Sequence, residues 1–238
     1  MPNGHGVVLG FDTSGPWCGC ALIRCGRILA ESNVDMAKGQ AERLFPCIES
    51  LLSKAGLGWK DIGRIGVGTG PGNFTGIRIS VSSARGLAMS LGIGAVGVSC
   101  FDALAYGSNG PVLCAIHAPQ GRVYVQGMRM KVDLQPRMVA IEDMPSNLNE
   151  PGLTCMGSAG AMVSEKLGCA RKSAAFPTAL AIARIADERR YGDDTPPSPL
   201  YLKPADARPF TISAPVMLDE TREASMAADS EIPASPTR

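Results

Sequence analysis

The chain has 238 residues, of which 45% are hydrophobic, and its 23 basic and 22 acidic side chains leave a formal net charge of +1. This length and apolar content allow a substantial core in one large or two small domains. The balanced charge excludes a protein that grips nucleic acid by a basic surface of its own, and the lack of a membrane-length apolar run or a signal-peptide pattern predicts a cytoplasmic protein.

The first half of the chain alternates predicted strands with helices. Short apolar runs bounded by turn residues predict strands at residues 7–11, 18–23, 27–32, 62–67 and 95–99. Apolar residues at helical spacing predict a helix from Ala41 to about residue 55, with Gly56 as its C-terminal cap. Pro46 should kink this helix or begin its regular part, because proline cannot donate the backbone hydrogen bond. Further helices are predicted at 77–91 and 101–106.

The second half of the chain contains another predicted α/β region. Strands are predicted at 112–116, 122–130 and 153–156, with a strand and turn at 139–144 and a last helix at 177–190. The Gly157–Gly160 segment could wrap a phosphate, but a plain turn from strand to helix is the favoured interpretation. Residues 210–238 are polar and rich in proline, alanine and serine, and we expect them to form a disordered tail.

The segment GTGPGNFTGIRIS at residues 68–80 is the most informative one. Gly70, Gly72 and Gly76 permit positive φ or a close backbone approach, and Pro71 stiffens the loop. The loop, which also contains Asn73 and Thr75, runs into a predicted helix N-terminus, where unpaired N–H groups converge. We therefore expect the loop to make a specific contact, with an ordinary glycine-rich turn as the alternative.

The glycine loop does not match the common phosphate-binding motifs. A Walker loop needs a lysine and a hydroxyl residue after the last glycine, whereas Ile77 and Arg78 follow Gly76. The dinucleotide fingerprint fails because one residue too many precedes the third glycine. Arg78 in the first helical turn opposes the helix dipole, so we expect it to have an anionic or carbonyl partner.

Small residues dominate the helix that follows the loop. Within residues 80–90 they are Ser80, Ser82, Ser83, Ala84, Gly86, Ala88 and Ser90. An exposed helix gains little from such residues unless another helix packs closely against it. The pattern therefore predicts a helix-packing surface at residues 80–90.

The cysteines and histidines give little support for metal or hydrolytic chemistry. Eight cysteines are scattered along the chain without a CxxC pair, so we expect small hydrophobic side chains and neither zinc nor disulfides. The chain's two histidines are His5 and His117. A hydrolase would have to use His117 without a nucleophile-elbow motif, which leaves a metal-free peptidase as a weak alternative.

Taken together, several motifs resemble the TsaB family, the partner subunits in bacterial tRNA threonylcarbamoyladenosine synthesis. The resemblance covers residues 8–105 most clearly, through FDTS at 11–14, AERLFP at 41–46, the glycine loop at 68–80, RGLA at 85–88 and GVSCFDALA at 97–105. A later match, PLYLKPADARP at 199–209, resembles the ending of these proteins. The chain departs from the family pattern at residues 117–124 and at Gln40, where many relatives carry histidine.

The resemblance implies an α/β fold of two related lobes, actin-like and sugar-kinase-like. We expect a first lobe at residues 1–106 with the partner-binding helices, a more divergent second lobe at 107–209 that includes the last helix, and the tail. The implied role is that of a non-catalytic scaffold without a cofactor. It would bind a TsaD-like catalytic subunit, work with a TsaE-like ATPase and meet tRNA only through the complex. A homodimer is possible when the partner is missing.

The resemblance also suggests which residues matter. The expected partner interface comprises Leu44, Ile48, Leu51, Arg78, Ser80, Ser83, Ala84, Gly86 and Leu87. Asp12, Thr13 and Ser14 occupy the position that faces a nucleotide in actin-like folds, but capping of a turn is the favoured interpretation. We predict no catalytic residue and no metal site, since residues 38–43 contain no histidine. An active ATP-binding kinase or ATPase remains the main alternative.

Overall fold

The computed structural model describes residues 6–145, 148, 150–190 and 196–202. The predictions for His5, for residues 203–209 of the PLYLKPADARP match and for the 210–238 tail lie outside these residues. Within them, five strands form the first sheet, in the order β3-β2-β1-β4-β5. These strands are β1 (Val7–Asp12), β2 (Trp17–Arg24), β3 (Arg27–Asp35), β4 (Ile62–Gly68) and β5 (Gly94–Val98).

Pairing in the first sheet is mixed. Strand β2 pairs antiparallel with both β1 and β3, which are its neighbours along the chain. Strand β4 pairs parallel with β1 and with β5. A helix connects β3 to β4, and a second helix makes the crossover that the parallel neighbours β4 and β5 need. They are α1 (Gln40–Lys54) and α2 (Phe74–Leu91).

The second sheet repeats this topology. Its strands are β6 (Val112–His117), β7 (Val123–Met128), β8 (Arg137–Val139), β9 (Thr154–Met156) and β10 (Ala170–Arg171). Read from β8 across the sheet, the order is β8-β7-β6-β9-β10, with the first two pairings antiparallel and the last two parallel. Helix α4 (Gly160–Leu167) lies between β9 and β10. The two related α/β lobes expected from the sequence are confirmed by this duplication.

Helices cover both faces of the first sheet. Leu44, Ile48 and Leu51 of α1 pack with Leu9 and Ile65 of the sheet, on the face that α2 also covers. The opposite face is covered by α5 (Thr178–Glu188), whose apolar side packs against Val8, Ala21 and Ile23. From the sequence, this last helix was expected in the second lobe, but its contacts are with the first sheet.

Helix α5 lies unusually close to the sheet, because the strands beneath it carry glycine. A Cβ atom added at Gly10 of β1 would lie 2.5 Å from the Ala179 carbonyl oxygen, and one at Gly66 of β4 would lie 2.9 Å from that of Ile182. Helix α5 contributes small side chains to the contact, among them Ala183 and Ala186. Its alanines and the strand glycines therefore fit as one tightly packed layer.

Several element boundaries differ from the sequence expectations. Helix α1 continues through Pro46 from Gln40, so the proline neither ends nor begins it. Helix α2 begins three residues earlier than predicted, at Phe74, because Asn73 caps it. The strand predicted at 139–144 is instead the short β8, which ends at Val139. The remaining helix, α3 (Cys100–Ala105), places Phe101 and Ala105 against the second sheet.

Candidate functional site

The turn that follows β1 is held by its own hydrogen bonds. Asp12 is fully buried, and its Oδ1 accepts from the Ser14 N–H at 3.2 Å. Its Oδ2 accepts from the Ser14 hydroxyl at 3.1 Å and from the Trp17 indole N–H at 2.8 Å. Both carboxylate oxygens are thus engaged by residues of the same turn. This geometry favours the turn-capping role of Asp12 over a role in binding a nucleotide's metal ion.

The glycine loop packs directly on this turn. The Thr13 hydroxyl donates to the Gly76 carbonyl at 2.7 Å, and the Asn73 N–H donates to the Ser14 carbonyl at 2.7 Å. A Cβ atom at Gly72 would lie 2.3 Å from the Ser14 carbonyl oxygen, and one at Gly76 would lie 1.9 Å from that of Thr13. The specific contact expected for this loop is therefore with the chain's own Asp12–Ser14 turn.

The N-terminus of α2 is likewise occupied by local groups. The Asn73 side chain accepts from the Gly76 N–H at 2.9 Å, which satisfies one of the unpaired donors of the first turn. Thr75, also named in the loop, is exposed. Gly70 has a φ of 90°, and the peptide bond between it and Pro71 is cis.

Among the described residues, the partners of Arg78 are aromatic side chains, whereas an anionic or carbonyl partner was expected. Its guanidinium carbon lies 3.9 Å from the centre of the Phe74 ring, and its Nε–H donates to the Tyr201 hydroxyl at 3.1 Å. The Phe74 and Tyr201 rings are 5.2 Å apart. The face of an aromatic ring stabilises a positive charge, so the Arg78 guanidinium does not need an acidic partner. The segment near residue 201 is thereby joined to the start of α2.

Burial disfavours the charged form of the Asp12 carboxyl group, although this group accepts hydrogen bonds. Removal from water raises the pKa of Asp12 above its ordinary value of 3.8, although the bonds from Ser14 and Trp17 act in the opposite direction. The folded chain therefore binds this proton more tightly than the unfolded chain does. The contribution of Asp12 to stability is greatest at low pH and declines as pH rises from about 4 through its raised pKa.

We expect this pH dependence to disappear in Asp12→Asn. Relative to the variant, the native chain should lose stability with rising pH above about 4, at up to about 1.4 kcal/mol per pH unit. Urea unfolding of both proteins between pH 4 and 8 measures the difference. Asp143→Asn is the control, because Asp143 is exposed. A native chain that gains stability over Asp12→Asn as pH rises would contradict the direction of the shift.

A cleft between the two lobes adjoins the turn and the loop. Its volume is about 510 Å3, and apolar groups form most of its lining. The lining includes Ser14, Trp17, Asn73, His117, Pro119 and Ser158. His117 and Ser158 are both exposed, and the hydrogen bond that joins them is donated by the backbone N–H of His117, not by its imidazole. This pairing offers no support for the peptidase alternative.

The predicted interface residues fall into two groups. Five of them are buried inside the chain's own first lobe and cannot contact a partner as predicted: Leu44, Ile48, Leu51, Ser80 and Ala84. Their apolar or small side chains instead pack against the sheet, and the Ser80 hydroxyl donates to the Gly68 carbonyl at 3.1 Å. The other four remain accessible. Arg78 and Gly86 are exposed, and Ser83 and Leu87 are half-buried.

Other exposed residues lie on the same side of α2 and were missed. Met89 is 85% exposed and Phe74 is 51% exposed, and both lie at helical spacing with Arg78, Ser82 and Arg85. We call these five residues together with Gly86 the α2 face. A count of small residues could not find it, because the buried and exposed sides of α2 both carry them. The sequence pattern that could have indicated the α2 face is the recurrence of large residues at positions 74, 78, 85 and 89.

The duplicated sheet topology, with a cleft between its lobes, defines a two-lobed α/β protein of the actin-like class. The model of the family TsaD: tRNA N6-adenosine threonylcarbamoyltransferase matches residues 34–156. An uncharacterised protein of Mycobacterium tuberculosis is 31% identical over 213 residues, which cover 87% of this chain and 96% of that protein. Together with the similarity to the TsaB protein of Escherichia coli, these matches show that the chain belongs to the TsaB family.

Two further relatives agree with this assignment. The tRNA threonylcarbamoyladenosine biosynthesis protein TsaB of Escherichia coli is 34% identical over 122 residues, 49% of this chain and 52% of that protein. The alignment with it thus spans about half of either chain. A crystal structure from Pseudomonas aeruginosa, of an uncharacterised protein with similarity to peptidase YEAZ, superimposes with a TM-score of 0.70 at 25% identity. It covers 83% of this chain and 100% of the P. aeruginosa chain.

No helix among the described residues is both long enough and apolar enough to span a bilayer.

Proposed function

We propose that the chain is the non-catalytic partner subunit of a complex that modifies tRNA. The complex transfers a threonylcarbamoyl group from threonylcarbamoyl-adenylate to the adenosine next to the anticodon. In this proposal the chain binds and stabilises a TsaD-like catalytic subunit, a TsaE-like ATPase belongs to the same system, and tRNA is reached through the complex. Membership of the TsaB family supports a role in tRNA threonylcarbamoyladenosine biosynthesis, the process named for the E. coli relative.

The observation that carries the partner role is the α2 face. Large apolar side chains at 85% and 51% exposure, Met89 and Phe74, are costly on a surface that stays in water. Two arginines, Arg78 and Arg85, flank them, and aromatic residues and arginine are the types enriched at binding hot spots. Gly86, with nothing within 4 Å of an added Cβ, lets another helix approach closely. The face therefore suits a protein partner.

The geometry of the first turn supports the non-catalytic part of the proposal. A kinase or ATPase of this fold class needs acceptors free to face a metal ion and phosphates. Here the Asp12 carboxylate accepts three hydrogen bonds from Ser14 and Trp17, and the neighbouring glycine loop is filled by the turn itself. The ATP-binding alternative predicts tight calorimetric binding of magnesium and ATP that is lost in Asp12→Ala.

Reconstitution of the modification reaction tests the proposal. The catalytic subunit and the ATPase from the same organism are incubated with unmodified tRNA, threonine, bicarbonate, ATP and the enzyme that makes threonylcarbamoyl-adenylate. We expect threonylcarbamoyladenosine, detected by mass spectrometry of digested tRNA, to form only when this chain is added. We also expect the chain without the catalytic subunit to yield none. Modification by the chain alone, or full modification without it, would refute the proposal.

The oligomeric state of the isolated chain is a further part of the same proposal. A helical face that lacks its partner can pair two copies through the same residues. Sedimentation of the chain alone and after addition of the catalytic subunit separates the two states. A homodimer that dissociates as the heterodimer forms would indicate one shared surface, whereas a homodimer that persists would place the partner site elsewhere.

A further inference from the structure

Three cysteines that are distant in sequence meet in the core of the first lobe. Cys18 and Cys20 are two residues apart on β2, so both side chains point to the face covered by α1. Cys47 lies on the buried side of α1 and completes the group. The three Sγ atoms all lie within 4.8 Å of one another, and the residues are 0%, 1% and 3% exposed. Sequence spacing alone predicts only scattered hydrophobic side chains at these positions.

The donor set matches a soft metal ion. Thiolates select Cu(I), zinc and iron–sulfur clusters over magnesium or calcium, which prefer oxygen. Structural zinc is almost always four-coordinate, but among the described residues this group offers three histidine, cysteine or carboxylate ligands and no fourth. Cu(I) has a filled d shell and accepts three sulfurs in a trigonal plane. It therefore fits a triangle of thiolates without a further ligand.

The electrostatic surroundings also favour a cation bound by thiolates. Arg43 lies one turn before Cys47 on α1 and brings a positive charge close to the three sulfurs. Three thiolates around Cu(I) carry a net charge of −2, which the Arg43 guanidinium partly offsets. A buried cluster without such a neighbour would be harder to ionise.

We propose that Cys18, Cys20 and Cys47 form a three-sulfur site for a soft monovalent metal ion, with Cu(I) as the best match. Each thiol that binds loses its S–H proton to solvent while its sulfur forms a bond to the ion, and no oxidation occurs. The bound ion joins β2 to α1, which pack together in the first lobe. Because the site is buried, the ion enters as the chain folds or when α1 opens.

Anaerobic titration with Cu(I) tests the site. The reduced full-length protein, both native and refolded, is titrated with Cu(I) in the presence of a coloured Cu(I) chelator. Bound copper is measured by mass spectrometry and by sulfur-to-copper charge-transfer absorption. We expect one ion per chain that resists the chelator and raises the unfolding temperature. Cys20→Ser and Cys47→Ser should lose this ion, and Cys18→Val provides a second test if a serine variant fails to fold.

Two cysteine controls separate this site from other thiols. Cys25 is exposed, so Cys25→Ser should keep the ion. Cys155 and Cys169 form a separate pair with their Sγ atoms 3.2 Å apart, so Cys155→Ser should keep it as well. Loss of the ion in Cys155→Ser, its retention in folded Cys20→Ser and Cys47→Ser, or failure of the native and refolded chains to outcompete the chelator would each overturn the proposal.

Discussion

Replacing Gly76 with alanine is expected to destabilise the chain severely. Gly76 lies in the first turn of α2, and the new Cβ would lie 1.9 Å from the carbonyl oxygen of Thr13. That oxygen belongs to backbone that is itself held by the buried hydrogen bonds of Asp12 and Thr13, so it cannot move aside cheaply. We expect a loss of about 3 kcal/mol or more in the free energy of unfolding, measured by urea denaturation.

Gly86 provides the matched control in the same helix. It is exposed, and nothing lies within 4 Å of an added Cβ. Gly86→Ala should therefore raise stability by about 0.5–1 kcal/mol, since alanine favours a helix interior over glycine. Unfolding of Gly76→Ala and Gly86→Ala at the same urea concentration would show that the tight contact between loop and turn contributes little to stability.

Replacing Met89 with aspartate is expected to disrupt binding of the catalytic subunit. Met89 is 85% exposed at the end of the α2 face, so the change leaves the core of the lobe intact. In a complex that buries this face, the carboxylate would be desolvated without a partner. We expect a loss of about 2 kcal/mol, or roughly 30-fold in affinity, measured by calorimetry with the catalytic subunit.

Met162 supplies a control of the same residue type in the other lobe. It lies on α4 and is 41% exposed. Met162→Asp should bind the catalytic subunit with native affinity, because the proposed partner contacts the first lobe. Equal losses in the two variants would point to a general effect of the added charge. Native affinity in Met89→Asp would remove the α2 face from the proposed interface.

Much of the fold could be predicted because local pattern and tertiary structure agree. Strands β1 to β7 and β9 and the helices α1, α2, α3 and α5 carry a clear apolar pattern, and family motifs indicated the two-lobe arrangement. The short strand β10 was missed, because Ala170 and Arg171 are exposed and carry no apolar signal. The side of the molecule on which α5 packs could not be predicted, since periodicity shows a buried face but not the partner that buries it.

The candidate site was harder to predict for a related reason. The resemblance to the TsaB family suggested residues such as Leu44 and Ser80 as interface residues, but both lie on the buried sides of their helices. The glycine loop was recognised as a contact site, yet its partner lies more than 60 residues away in Thr13 and was not visible from spacing. The three-cysteine group was missed because it joins a strand to a helix across the core.

The path of the last helix has a consequence for how the chain is made. The strands of the first sheet are translated early. The face of this sheet formed by Val8, Ala21 and Ile23 is covered by α5, whose residues 178–188 are translated much later. A nascent chain that ends near residue 106 would therefore present this apolar strand surface to solvent or to a chaperone. The first lobe therefore becomes complete only after the second has been translated, although the two sheets have the same topology.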